Sequence, residues 1–119
     1  MPLYIKMDQN RWVNQDFTDS NSYDLSGTVY SEPEFTNTVD ISSYTTVTLR
    51  VINNDGNVLF STTDNITANS DGTILFKFGV GKTPFFSGAG TIRVRFEDST
   101  NRLTAVGVNG SDIVYFEHD

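Results

Sequence analysis

The chain has 119 residues, enough for one ordinary domain with its own hydrophobic core. It carries 8 Lys and Arg against 15 Asp and Glu, a net charge of −7, which disfavours nucleic acid and anionic membranes as partners. The absence of cysteine excludes a disulfide framework, a thiol nucleophile and a thiolate metal site. The opening residues, Met1 to Asp8, are too mixed for a signal peptide, and no segment is apolar for long enough to span a bilayer. Tyr4 to Val13 and Leu25 to Tyr30 are expected strands, although residues 1–17 also read as an extended arm. Ser31 to Ser43, with Pro33 and many small polar residues, reads as a long loop.

The clearest strand is Thr46–Val51, with Val47, Leu49 and Val51 on one face and Thr46, Thr48 and Arg50 on the other. Asn53-Asn54-Asp55-Gly56 follows and suits a tight hairpin, because Gly adopts positive φ without a Cβ clash. The return strand is Asn57–Thr62, with Val58 and Phe60 expected inward. A second turn at Asn69-Ser70-Asp71-Gly72 leads into Thr73–Phe78, with Ile74, Phe76 and Phe78 as the inward row. Gly90–Phe96 points Ile92, Val94 and Phe96 inward and Arg93 and Arg95 outward. Asp98-Ser99-Thr100-Asn101 turns the chain into closing strands at Arg102–Val108 and Asp112–Glu117.

Helical periodicity is missing throughout, and no internal repeat or linker interrupts the chain. Seven or eight short alternating strands imply an all-β, Ig-like antiparallel sandwich occupying residues 1–119 as one domain, with a small barrel as the alternative.

Catalytic signals are weak. Gly79-Val80-Gly81-Lys82-Thr83 ends like a phosphate loop, but Phe76 stands where that loop needs its first glycine. Pro84-Phe85-Phe86 follows where the loop needs a helix. The sole histidine, His118, is next to last, and no nucleophile–base set accompanies it. The Asn and Asp clusters at 53–55, 64–65 and 69–71 offer oxygen, but none matches a twelve-residue calcium loop, and turn formation explains them. The expectation is a non-enzyme with no catalytic residue, cofactor or metal.

Contact residues are easier to nominate. Tyr4, Ile5 and Trp12 lie among polar residues before the best strands begin; they are either core of a first strand or anchors of an arm that pairs with a neighbour's sheet edge. Phe85 and Phe86 are adjacent in a loop, where one caps the core and the other meets a partner, or both cap it. Arg93 and Arg95, with Arg50, form an outward row that meets acids on another copy or local partners. Tyr30, Tyr44 or Trp12 beside Asn and Asp would be the platform of a carbohydrate-binding module.

The succession of Asp24–Gly27, Thr46–Val51, Asp55–Val58, Ser70–Ile74 and Ser87–Asp98 resembles small tailed-phage virion domains. It is similar in particular to the N-terminal Ig-like domain of phage baseplate upper proteins. A free-standing Ig-like domain with an N-terminal arm also resembles capsid decoration (cement) proteins. The resemblance implies a structural virion protein, a capsid decoration subunit or tail connector, assembled in the host cytoplasm. Its partners would be other virion proteins in a homo-oligomer or symmetric array. The alternatives are a tail baseplate or host-recognition role, or a carbohydrate-binding β-sandwich module. The resemblance brings no catalytic residue with it.

Overall fold

In the computed structural model the described residues are 3–8, 11–14, 23–64, 66–78 and 88–118; at 11–14, 23–24, 60, 77–78, 88 and 116–118 the backbone alone is described. Ten strand segments follow in order, with no helix among the described residues. They are β1 (Leu3–Met7), β2 (Arg11–Asn14), β3 (Tyr23–Tyr30), β4 (Thr46–Ile52), β5 (Val58–Thr62), β6 (Ile66–Ala68), β7 (Thr73–Phe78), β8 (Gly88–Glu97), β9 (Arg102–Val106) and β10 (Ile113–His118).

Two layers emerge from the pairing. The first runs β1-β3-β7-β6, all antiparallel. The second runs β5-β4-β8, with β9 and β10 beside β8 and β2 beyond β10. β9 pairs with Val94–Glu97 and β10 with Gly88–Thr91, so the two are halves of one strand interrupted at residues 107–112. β1 and β2 likewise divide an N-terminal strand that changes layers. Counted this way there are eight strands, arranged as the A-B-E-D and C′-C-F-G layers of an immunoglobulin-like sandwich.

Two pairings depart from the expected antiparallel pattern: β1 with β9 and β2 with β10 are parallel. The first and last strands of the chain run in the same direction, and the domain between them provides the crossover that a parallel pair requires. Because β1 pairs with both β3 and β9, the layers join along one side into a curled sheet.

The period of two explains the core. Ile5 of β1, Leu25 and Val29 of β3, and Ile74 and Phe76 of β7 are buried from the first layer. Leu49 and Val51 of β4 and Ile92, Val94 and Phe96 of β8 are buried from the second. Alternate positions on β1, β3, β4, β7 and β8 turn away from this cluster, the pattern of a strand with one buried face.

The turns form as their residues dictate. Gly56 has φ 85° and its amide donates to the Asn53 carbonyl, while the Asn53 side chain accepts from the amides of Asp55 and Asn57. Residues 31–43 are the expected loop, held by the Glu32 carboxylate, which accepts from the amides of Glu34, Thr36 and Asn37. Ile41 of this loop is fully buried, a core residue that its polar neighbours conceal in the sequence.

Val58 overturns one expectation. It is 51% exposed, not inward. A register shift between Val51 and Ile52 sets Val51 opposite Phe60 and Ile52 opposite Val58, so the hairpin end of β5 is out of phase with simple alternation.

Candidate functional site

The outer face of the second layer gathers the unusual side chains. On β4, Thr46, Thr48, Arg50 and Ile52 alternate with the core row. On β8, Thr91, Arg93, Arg95 and Glu97 do the same. The strand register then sets them in rows. Thr46, Glu97 and Arg102 form one, and Thr48, Arg95 and Thr104 the next. Arg50 stands directly opposite Arg93, with Ser61 of β5 on its other side. The following row is Val58, Ile52, Thr91 and Ile113, which crosses four strands.

Charge is distributed unevenly over this face. Glu97 Oε1 lies 3.8 Å from Arg95 Nη1 and 3.6 Å from Arg102 Nε, so one carboxylate serves two guanidinium groups. Among the described residues no acid lies within ion-pairing distance of Arg50 or Arg93. A groove of about 120 Å³ runs between them, lined by Thr48, Arg50, Ile52, Arg93, Arg95 and Thr104. The row that follows Arg50 and Arg93 carries the exposed apolar side chains Val58 and Ile113, and Leu59 and Tyr115 are exposed elsewhere on β5 and β10.

The nominated contact residues separate on this structure. Arg93 is exposed and Arg95 half-buried, and both line the groove with Arg50. Tyr4 is half-buried, in register with Tyr30 on one side and Val106 on the other. Ile5 is 0% exposed and so takes the first of the two readings open to it, core of a first strand. It belongs to β1, a strand enclosed between β3 and β9, so its side chain completes the core of its own chain. Trp12 falls in β2, in register with Phe116. Phe85, Phe86 and the Gly79–Thr83 segment lie outside the described residues, as do residues 15–17 of the postulated arm.

The two tyrosines of the expected sugar platform each pack on a phenylalanine of the chain. Tyr30 packs on Phe35 with ring centroids 5.1 Å apart, and Tyr44 on Phe96 at 5.4 Å. Both rings are engaged within the protein. His118 closes β10, its backbone in register with Asn14.

The acids near the turns have structural employment. Asp98 Oδ1 accepts from the amides of Thr100 at 2.8 Å and Asn101 at 2.6 Å. Asp71 Oδ1 accepts from the Thr73 hydroxyl at 2.6 Å and its amide at 3.0 Å. Asp40 holds Ser42 in the same way. These donors stabilise the charged form, so all three carboxyls titrate below their ordinary value. No group of three His, Cys, Asp or Glu placed to hold a metal occurs among the described residues.

Four apolar residues of the face, Ile52, Val58, Ile113 and Tyr115, are not foreseen in the sequence. Ile52, Ile113 and Tyr115 alternate with inward neighbours, and alternation by itself does not say which of two apolar rows faces water. Val58 was assigned to the wrong side by the register shift.

No family model matches the sequence, and no curated protein matches it. Among solved structures, the whole chain superposes on part of the endo-beta-1,4-mannanase from Thermotoga petrophila with a TM-score of 0.47 at 6% identity. The chain spans 20% of the length of that protein.

Proposed function

We propose that this chain is a non-enzymatic structural subunit of a tailed-phage particle, a capsid decoration subunit or tail connector. It holds neighbouring subunits through the outer face of its second layer and the edge of β5 that pairs with no strand among the described residues. The observation that carries the reading is the row Val58, Ile52, Thr91 and Ile113, which ends on an outer strand. Protein-facing edges tolerate such a row, whereas water-facing edges are usually guarded by charge or proline. β5, Val58-Leu59-Phe60-Ser61-Thr62, has neither. Exposed apolar side chains beside arginine and tyrosine are the ordinary composition of a contact surface. The sequence resemblance to virion domains supplies the setting, and symmetric repetition in a particle supplies the avidity that a small contact needs.

Gel filtration of the protein alone and with purified capsids and tails tests this reading. The expected result is co-elution with one of them, lost in Val58→Lys, whose fold is checked by thermal melting. A wild-type protein that stays monomeric and ignores every particle component overturns it.

A further inference from the structure

We propose that the groove between Arg50, Arg93 and Arg95 receives carboxylate side chains from an acidic segment of a partner protein. The inference rests on the reading of this face as a protein contact surface and names the chemistry of its partner.

The argument begins with a cost. Arg50 and Arg93 are directly opposed across β4 and β8, and like charges at such a position destabilise a sheet. The chain has 15 acidic residues available, yet among the described residues none pairs with either guanidinium. Glu97, the nearest acid along β8, is committed to Arg95 and Arg102. Two unneutralised arginines in a chain of net charge −7 are therefore a local reversal of sign. A partner that brings carboxylates relieves the repulsion and gains charge-assisted hydrogen bonds from planar, fork-shaped donors. Thr48 and Thr104 flank the arginines within the same groove and add hydroxyl donors to its walls.

Shape and surroundings narrow the occupant. The groove lies on a sheet beside an apolar row, so an extended segment that carries acidic and apolar side chains two residues apart, on one and the same face, meets both features. A two-fold contact of this face with the same face of another copy would set arginine against arginine. A nucleic acid would bring phosphate to the groove but would meet the repulsion of the remaining acidic surface.

The test uses the whole protein and a fluorescent peptide of repeating Glu-Thr-Leu-Thr, which sets Glu and Leu on one face when extended, followed by anisotropy at about 0.02 M and about 0.3 M salt. Expected is binding at low salt that weakens at high salt and falls about tenfold in Arg50→Thr/Arg93→Thr. Arg102→Thr, outside the groove, should bind as the wild type does. Thermal melting verifies that the double variant is folded; threonine suits an outward strand position and removes the opposed charges.

No peptide binding, or equal binding by the double variant, overturns the proposal. So does stronger binding of inorganic phosphate or duplex DNA than of the peptide. Salt-sensitive self-association of the wild type that Arg93→Thr abolishes assigns the groove to a second copy and likewise overturns it. The two readings fail separately. Peptide binding without any particle association leaves the groove standing and removes the phage setting. Particle association that survives in Arg50→Thr/Arg93→Thr, without peptide binding, does the reverse.

Discussion

Gly72 shows how much a single backbone position decides. Its φ is 89°, its amide donates to the Asn69 carbonyl, and its own carbonyl accepts from the Val29 amide at 2.8 Å. A Cβ there would meet Thr38 Cβ and the Val29 oxygen at 3.0 Å. Gly56 has a similar φ of 85° but open space around it. Gly56→Ala is therefore expected to cost about 1 kcal/mol, from backbone strain alone. Gly72→Ala is expected to cost at least about 2 kcal/mol, because crowding is added to strain. Urea denaturation of both variants checks the difference, and equal losses would show that the crowding relaxes. The two turns look alike in the sequence, Asn-Asp-Gly in one and Ser-Asp-Gly in the other. Only the folded chain places residues 38 and 39 against one of them.

Strands make the same contrast between local and distant information. Alternation in β4, β7 and β8 identifies which residues enter the core, and Leu49, Val51, Ile74, Phe76, Ile92, Val94 and Phe96 are indeed buried. It fails where a strand is very short or its register slips. Ile66–Ala68 is three residues of strand with no alternating signal of its own, created by pairing with β7. Val58 is displaced by the shift at Val51 and Ile52. The opposition of Arg50 and Arg93 also belongs to this scale, because it exists only through the β4–β8 register. Arg93→Glu converts that opposition into an opposite-charge pair. The variant is expected to be more stable than the wild type by roughly 0.5 to 1 kcal/mol, as measured by urea denaturation. A loss of stability would show that the two guanidinium groups do not interact in the free protein.

Over the whole molecule, carboxylates at separate turns share one titration behaviour. Asp98 is lowered from 3.8 chiefly by the Thr100 and Asn101 amides, and Asp71 and Asp40 by the Thr73 and Ser42 hydroxyls first and their amides next. Glu32 is lowered from 4.5, chiefly by the Asn37 amide. A group whose folded pKa is depressed binds its proton first in the unfolded chain. Its stabilising contribution is thus fully present above the ordinary carboxylate value and is lost as pH falls through the folded one. The melting temperature is expected to fall steadily on acidification below about pH 4.5. Asp98→Ala should melt lower than the wild type at neutral pH and lose less on acidification. A melting temperature that holds or rises over the same range would contradict the assignment. The acids that a charge count treats as an undifferentiated skin are, at these turns, structural acceptors.

The sequence by itself determined the class of the protein: strands without helices, the places of the main turns, and the inward rows of the long strands. Those features are encoded within a few residues of one another, by alternation and by side chains that hydrogen-bond their own backbone. It also separated Arg93 and Arg95 as outward residues. Tertiary structure decided that Ile5 is core, that the N-terminal strand divides between two layers, and that the ends of the chain pair in parallel. It alone set Arg50 against Arg93 and lined up Val58, Ile52, Thr91 and Ile113 across four strands. Such rows join residues far apart in the chain, and only the pairing of strands in the folded sheet assembles them.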